Sequence, residues 1–196
     1  EGPPERVALT ASAGRAVPHI ELTVVDDAGR ELPTGGVGEI VVSGPRVMQG
    51  YWRKPKATAD ALRAGRYHTG DMGYLDEKQR LFVVDRKKDM IISGGENVYS
   101  VEIENILSTH PAVLEVAVVG VPDDQWGEAV KAIVVLRDGS GASADELIAF
   151  CRGRIAGYKM PKSIDFSKEP LPKTGPGKIA KRRLRDPYWA GRKTKI

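Results

Sequence analysis

The chain has 196 residues, of which 41% are hydrophobic, and its formal net charge is +4. This length fits one large or two small domains, and no apolar run approaches the ~20 residues of a membrane span. The single cysteine, Cys151, excludes an internal disulfide, and we expect it to be a small core side chain of a cytoplasmic protein. Residues 1–6 contain neither a starting methionine nor a signal peptide, which indicates a cut inside a longer protein.

The first half of the chain predicts β structure with one short helix. Strands are predicted at residues 20–24, 39–43, 72–75 and 81–84. The last two of these form a predicted hairpin across residues 76–79. Pro55 near the start and Gly65 just past the end predict a helix over residues 55–64. Residues 67–71 are predicted to be a loop.

In the second half, helices and strands interleave. Strands are predicted at residues 113–121, 129–136 and 163–166, and helices at residues 100–109, 144–156 and 178–185. Ser100 is the predicted N-cap of the first helix, Ser143 opens the second with a capping box, and Gly157 closes it. Residues 122–128 are predicted to be a loop, in which Trp126 is expected to serve packing.

The stretch over residues 84–104 joins the two halves. A strand ends there in a run of charges at residues 85–88, and a glycine pair follows. Gly94 and Gly95 predict a turn that needs positive φ or the close approach of another part of the chain. Because the pattern changes from β-rich to mixed here, we place a domain boundary at Arg86–Asp89.

The positive charge is concentrated near the end of the chain. Between residues 173 and 195 the lysines and arginines are opposed only by Asp186. A solvated surface would account for this, and so would attraction to phosphate groups. Nothing in the chain resembles a nucleic-acid-binding module, so we predict no nucleic-acid partner.

Four segments resemble, in the expected order, motifs of the adenylate-forming enzymes, the superfamily of acyl-CoA synthetases, luciferases and peptide-synthetase adenylation domains. The segments are residues 38–52, 67–71, 84–104 and 172–179. The second is similar to the ribose-binding [YF]-x-T-G-D, although Arg66 stands where this family commonly has tryptophan. The third contains Ile-Ser-Gly-Gly-Glu-Asn-Val-Tyr at residues 92–99, which is most similar to fatty-acid and related CoA ligases.

The resemblance implies an α+β chain in two parts. Residues 1–86 would be the C-terminal portion of a large AMP-binding N-terminal domain, β-rich and barrel-like. Residues 87–196 would be a mobile C-terminal domain, with a short antiparallel or mixed sheet and flanking helices.

The resemblance also assigns three side chains to the nucleotide and to the first reaction step. Lys178 would be the catalytic lysine of adenylation, since an ammonium on a glycine-bracketed loop offsets charge on the attacking carboxylate and the α-phosphate. Asp71 would accept hydrogen bonds from two ribose hydroxyls at once. Arg86 would hydrogen-bond the nucleotide, with a surface salt bridge as the alternative interpretation.

Two further assignments concern the second step. Lys88 aligns with the family's hinge, a residue whose backbone dihedrals change between two domain orientations. Ser93, Gly94 and Gly95 would line the tunnel that the pantetheine arm of coenzyme A enters, because glycines remove side chains from a narrow passage. A plain turn before a helix is the alternative for this segment.

The implied reaction has two steps. A carboxylic acid, fatty or aryl, reacts with ATP to give an acyl-adenylate and pyrophosphate, and coenzyme A then displaces AMP to form the thioester. Mg²⁺ would accompany ATP with its ligands outside this chain, and no metal site is predicted within it. Two alternatives stay open: delivery of the acyl group to a carrier protein, and a non-catalytic binding domain. The chain alone is predicted to be inactive, because the acyl pocket and the triphosphate loop belong to the missing N-terminal part.

Overall fold

The computed structural model describes residues 12–192. The chain divides between Lys88 and Asp89 into two compact units. Within the described residues each unit contains a five-stranded sheet and helix, which confirms the predicted α+β class. The division lies inside the stretch Arg86–Asp89 chosen from the sequence. The assignment of residues 1–86 and 87–196 to two parts of an adenylate-forming enzyme stays a prediction.

The first unit is built on an antiparallel sheet. Its strands are β1 (Glu21–Val25), β2 (Gly38–Ser43), β3 (Leu62–Arg63), β4 (Arg66–Leu75) and β5 (Leu81–Arg86). They lie in the order β1-β2-β4-β3, with β5 also paired to β4. The predicted hairpin is confirmed, since Leu75 pairs with Leu81 across the turn. A short helix, α1 (Pro55–Ala61), precedes β3.

Two predictions for this unit are wrong. The helix predicted over residues 55–64 ends at Ala61, because Leu62 and Arg63 pair instead with the start of β4. The predicted loop 67–71 lies within β4, which pairs with β2 on both sides of an irregularity. Local sequence favoured a loop because the glycine and aspartate of this segment are poor strand formers, but pairing with a distant strand overrides that preference.

The second unit is also built on five strands. They are β6 (Ile91–Ser93), β7 (Glu96–Val98), β8 (Val113–Asp123), β9 (Gly127–Leu136) and β10 (Ser163–Phe166). The long antiparallel hairpin of β8 and β9 forms its centre, β10 runs parallel to β9, and β6 joins β9 near its start. The sheet is therefore mixed, whereas the prediction allowed either an antiparallel or a mixed sheet.

Helices and a long connection cover the two faces of this sheet. The helices are α2 (Ser100–Ser108), α3 (Ala144–Cys151) and α4 (Lys181–Trp189). Because successive strand residues point to opposite faces, Val118 packs in a core with α2 and α3, whereas Val119 packs with Leu171 and the apolar side of α4. Cys151 is fully buried in the first core, as predicted. Within residues 12–192, no helix is long and apolar enough to cross a membrane.

The predicted N-cap at Ser100 is wrong. Tyr99 is the N-cap residue of α2, and Ser100 is the first residue of the helix. Its hydroxyl is buried and accepts a hydrogen bond from Lys181 Nζ at 2.6 Å. A side chain 81 positions away therefore takes the place of the local capping bond.

Other boundaries also differ from the prediction. β8 ends at Asp123 and β9 begins at Gly127, so most of the predicted loop 122–128 is strand. The capping box is confirmed, because Ser143 accepts a hydrogen bond from the N–H of Glu146. However, α3 ends at Cys151 and not at Gly157. The predicted helix 178–185 begins three residues late, at Lys181, because the preceding residues form a turn.

Side chains satisfy the free edge of β8. Glu104 of α2 accepts a hydrogen bond from the N–H of Val118 at 2.7 Å. Trp189 of α4 donates through Nε1 to the carbonyl of Gly120 at 3.0 Å. Pro122 lies two residues further along the same edge and has no N–H to satisfy. This protection blunts an edge that would otherwise pair with another strand.

Candidate active site

The two predicted nucleotide-binding side chains of the first unit lie next to each other. Asp71 and Arg86 are cross-strand partners of β4 and β5. Arg86 Nε is 3.4 Å from Asp71 Oδ1, and the two side chains are 51% and 40% exposed. The salt bridge that was the alternative interpretation for Arg86 is thus formed with the other predicted nucleotide ligand, on a surface open to solvent.

A bulge in β4 places Asp71 at this position. Ile40 of β2 lies opposite three residues of β4, so the register shifts between Glu39 and Val41. Gly70 adopts φ 73°, a left-handed conformation that glycine takes at little cost. The hydroxyl of Thr69 donates to the Ile40 carbonyl at 2.8 Å and accepts from the Asp71 N–H at 3.1 Å. Gly70 therefore allows the bulge, and the Thr69 hydroxyl ties it to β2 and to the backbone of Asp71.

A buried carboxylate near the end of β5 was missed by the sequence analysis. Glu39 is 5% exposed, and its Oε2 lies 3.2 Å from Lys87 Nζ and 3.3 Å from His68 Nδ1. Burial alone would raise the pKa of Glu39, but the neighbouring His68 and the bond from Lys87 outweigh it and hold that pKa below its usual value. Lys87 also pairs with Asp27 at 2.8 Å. A charged residue directly before the apolar run of β2 was the signal that could have revealed this cluster.

The cluster bears on the predicted hinge. Lys87, Lys88 and Asp89 form a short 3₁₀ turn at the division between the units. Because Lys87 is fixed to two carboxylates of the first unit, a change of backbone dihedrals would be confined to the residues after it. Lys88 is the first of these.

The predicted coenzyme A segment is a tight hairpin. Gly94 and Gly95 connect β6 to β7 with φ of 61° and 86°, the pattern of a two-residue turn that matches strand twist. The Gly94 N–H donates to the Trp126 carbonyl at 2.8 Å, and a Cβ on Gly94 would lie 2.7 Å from the Trp126 ring. Positive φ and close approach, the two possibilities that the glycines predicted, both occur. Trp126 packs there as expected.

The predicted catalytic lysine lies on an exposed turn between Leu171 and α4. The Thr174 N–H donates to the Lys178 carbonyl at 2.7 Å, and the Gly177 N–H donates to the Thr174 carbonyl at 2.9 Å. Gly177 takes φ 83°, which this turn requires. The Lys178 side chain is exposed, and within residues 12–192 it forms no ion pair. Backbone bonds thus shape the turn and leave the ammonium available. We call residues 172–180 the lysine loop.

Glu115 of β8 anchors the upstream end of the lysine loop. Its Oε1 lies 2.6 Å from Lys173 Nζ, and its Oε2 accepts from the Leu171 N–H at 2.8 Å. Lys173 and the Leu171 N–H hold the pKa of Glu115 below its usual value. The carboxylate is therefore charged at neutral pH and uses both oxygens for the anchor.

The glycine hairpin and the upstream anchor of the lysine loop lie near opposite ends of β9. Ser93 pairs with Gly127 at the start of the strand, whereas Glu115 is opposite Val135 near its end. These attachment points are separated by about 27 Å at ~3.4 Å per strand residue. Among the described residues no group of three or more His, Cys, Asp or Glu side chains could hold a metal ion.

Comparison with known proteins places this geometry in a family. The AMP-binding enzyme family matches residues 2–52, and the AMP-binding enzyme C-terminal domain matches residues 102–178. A feruloyl-CoA synthase of Amycolatopsis sp is 52% identical over 89% of this chain and 35% of its own length. A long-chain-fatty-acid–CoA ligase of Escherichia coli O6:H1 is 49% identical over 90% of this chain and 31% of its own length.

The chain belongs to the adenylate-forming, AMP-binding enzyme family. The solved structure of ATP-bound MatB from Rhodopseudomonas palustris agrees in fold, with a TM-score of 0.84 and 39% identity over 91% of this chain and 36% of that one. The chain thus spans about a third of the length of the curated relatives it matches. The AMP-binding C-terminal match ends at Lys178, and neither match includes Asp71 or the glycine hairpin.

Proposed function

We propose that this chain is part of an acyl-CoA synthetase, which activates a carboxylic acid with ATP and transfers the acyl group to coenzyme A. The observation that carries the proposal is that the glycine hairpin and the lysine loop are separate structures, the hairpin attached at the start of β9 and the loop held by Glu115 and Lys181. A two-step ligase needs one group for adenylation and another surface for the thiol substrate. The two relatives are named as a synthase and a ligase of CoA esters, which supports coenzyme A as the acceptor.

In the first step a carboxylate oxygen of the acid attacks the α-phosphorus of ATP, and the bond to pyrophosphate breaks. Negative charge grows on the bridging oxygen of the leaving pyrophosphate and on the oxygens of the α-phosphate, and Lys178 would offset it there. Asp71 holds the ribose by accepting from its hydroxyls, and Arg86, released from Asp71, bonds the nucleotide. A Mg²⁺ that accompanies ATP would take its protein ligands from outside residues 12–192.

In the second step the thiol of coenzyme A, having lost its proton, attacks the acyl carbon, and AMP leaves with the bonding electrons. The glycine hairpin would line the passage of the pantetheine arm, because Gly94 and Gly95 present backbone only. Lys178 and the hairpin would reach one cleft in turn, after rotation of residues 89–196 about Lys88. Their separate attachments, the hairpin at the start of β9 and the loop at Glu115 and Lys181, support this alternation.

The acid is proposed to be a fatty or aryl acid. The relatives differ here, since one is named for feruloyl-CoA and the other for long-chain fatty acids. We propose that the acyl pocket lies outside this chain, which spans about a third of the length of these relatives, and we expect the chain alone to be inactive.

The test uses the complete enzyme that carries this chain. Pyrophosphate release is measured with ATP and a panel of fatty and aryl acids, and each active acid is then assayed for thioester with coenzyme A or with a carrier protein. We expect pyrophosphate release with at least one acid and thioester with coenzyme A. An enzyme that forms the adenylate but transfers it only to the carrier protein would refute coenzyme A as acceptor.

A further inference from the structure

Lys181, the first residue of α4, lies three positions after Lys178 and is held in a polar cluster. Its Nζ is 2.8 Å from Glu104 Oε1 and 2.6 Å from Ser100 Oγ, both on α2. The same Glu104 oxygen accepts from the N–H of Val118 on β8. One lysine therefore joins the start of α4 to the first turns of α2 and to the edge of the sheet.

This cluster is shielded from water. The side chains of Lys181 and Glu104 are 15% and 17% exposed, and Ser100 is fully buried. An ion pair in such surroundings is screened less than a surface pair, and removing one partner leaves a partly buried charge uncompensated. The side chain of Lys181 is thus restricted to one position, unlike the exposed Lys178 beside it.

The lysine loop has a fixed point at each end. Glu115 holds Leu171 and Lys173 upstream, and Glu104 holds Lys181 downstream. The Ala180 N–H also donates to the Pro172 carbonyl at 2.7 Å, which closes the base of the loop. Only two residues separate Lys178 from the downstream anchor, so a shift of that anchor moves the catalytic ammonium directly.

We propose that Lys181, through Glu104 and Ser100, is a positioning residue for Lys178 in the adenylation step. The inference rests on the proposed function, in which Lys178 offsets charge at the α-phosphate. Misplacement of a reacting group by about 1 Å can cost ~10²-fold in rate. Lys181 itself touches no substrate in this scheme. Its effect is on where the loop presents Lys178.

The test is Lys181→Met in the complete enzyme, which keeps the aliphatic stem and removes the charge. Adenylation, followed as pyrophosphate release, should fall about 10-fold or more, since the loop loses one anchor. Thioester formation from pre-made acyl-adenylate should stay within about 2-fold of wild type, since the glycine hairpin has other attachments. Lys181→Arg, which keeps the positive charge and the donors, should restore most of the lost adenylation.

The matched control is Lys159→Met. Lys159 Nζ is 2.6 Å from Glu102 Oε2 on the same helix α2, and the lysine side chain is 18% exposed. Its partner Glu102 is 37% exposed, so the pair is less shielded than Lys181–Glu104, and it is not attached to the lysine loop. This variant should leave both half-reactions near wild type. Hydrogen exchange of the amides of Thr174 and Gly177 should accelerate in Lys181→Met and not in the control.

Equal losses of both half-reactions in Lys181→Met would overturn the inference, because a structural role predicts them. Unchanged adenylation with unchanged loop exchange would overturn it as well. If Lys181→Met folds poorly, Glu104→Gln is measured, since the amide oxygen still accepts from Val118, and the same selective loss is required. The proposed function is tested separately with Lys178→Ala. If that variant forms the adenylate at the wild-type rate, the proposed function fails. If Lys178→Ala is inactive and Lys181→Met is not, the inference alone fails.

Discussion

Arg86 Nε lies 3.4 Å from Asp71 Oδ1 across the paired strands β4 and β5. Both side chains are more than a third exposed, and exposed pairs of this kind contribute only about 0–1 kcal/mol to stability. Such a pair is exchanged for a ligand at little cost. A nucleotide that offers hydroxyls to Asp71 and a phosphate or sugar oxygen to Arg86 would satisfy both groups when the pair opens.

Asp71→Asn in the complete enzyme tests this exchange. The amide keeps the shape but loses the charge that strengthens bonds from the ribose hydroxyls, so kcat/KM for ATP should fall roughly 10- to 100-fold, as for loss of charge-assisted hydrogen bonds. The measurement is pyrophosphate release against ATP concentration, with thermal midpoint as a check. Asp76→Asn, in the turn of the same hairpin, is the control. Asp76 binds Arg80 at 2.6 Å, so this variant should lower stability and spare ATP use.

Lys178→Ala should separate the two half-reactions. Adenylation should fall by about 10²–10³, the loss seen when one preorganised donor to a transition state is removed. Conversion of pre-made acyl-adenylate to thioester should continue near the wild-type rate. Lys168→Ala removes another exposed lysine of the same unit and should change neither step. Parallel losses in both half-reactions of Lys178→Ala would show a structural role.

Gly94→Ala should have the opposite selectivity. A Cβ there would lie 2.7 Å from the Trp126 ring at a backbone φ of 61°, so either the hairpin or the Trp126 ring must shift. Thioester formation should slow while adenylation persists. Gly95→Ala meets nothing within 4 Å and carries only the cost of positive φ, so its effect should be smaller. A larger effect at Gly95 than at Gly94 would contradict the role of Trp126 in setting this turn.

The anchor at Glu115 predicts a pH dependence. Its folded-state pKa lies below the unfolded value because of Lys173 and the Leu171 N–H, so its contribution to stability is present above the unfolded pKa, about 4.3. That contribution is lost as pH falls through the folded pKa. The difference in thermal midpoint between wild type and Glu115→Gln should therefore be largest near neutral pH. It should disappear below about pH 4. Glu169→Gln, on the exposed segment before Leu171, should show no such convergence. A difference that is constant with pH would contradict the prediction.

Local sequence predicted the elements whose causes are local. The capping box of Ser143 and the glycine turn of Gly94 and Gly95 are examples, since each depends on residues a few positions apart. Predictions failed where distant residues decide the structure. The segment 67–71 joins a strand because β2 pairs with it. Ser100 lies one residue inside the helix, where its hydroxyl meets Lys181 from 81 positions away.

The candidate site shows the same division. The resemblance named Asp71, Arg86 and Lys178, and the structure adds the groups that hold them in place. Glu104 and Glu115 read in sequence as ordinary surface carboxylates, but their backbone and lysine partners lie more than a dozen positions away. No periodicity or motif encodes such contacts, so only the fold reveals that these glutamates anchor the lysine loop.

Lys88→Pro in the complete enzyme tests the hinge. Lys88 lies in a 3₁₀ turn, and turns of this kind have φ near −50 to −70°, which proline's fixed φ of about −65° satisfies. The proline variant could not adopt a second value of φ at this position. Adenylation should persist and thioester formation should collapse, because Lys178 and the glycine hairpin are attached at separate points of the second unit and need rotation to use one cleft in turn.

Lys88→Ala is the control for this variant, since it removes the same side chain and leaves φ free. It should retain both half-reactions, measured as pyrophosphate release and as thioester formation from pre-made acyl-adenylate. A Lys88→Pro enzyme that forms thioester at the wild-type rate would exclude Lys88 as the hinge. An equal loss in Lys88→Ala would instead assign the defect to the side chain and not to the backbone dihedral.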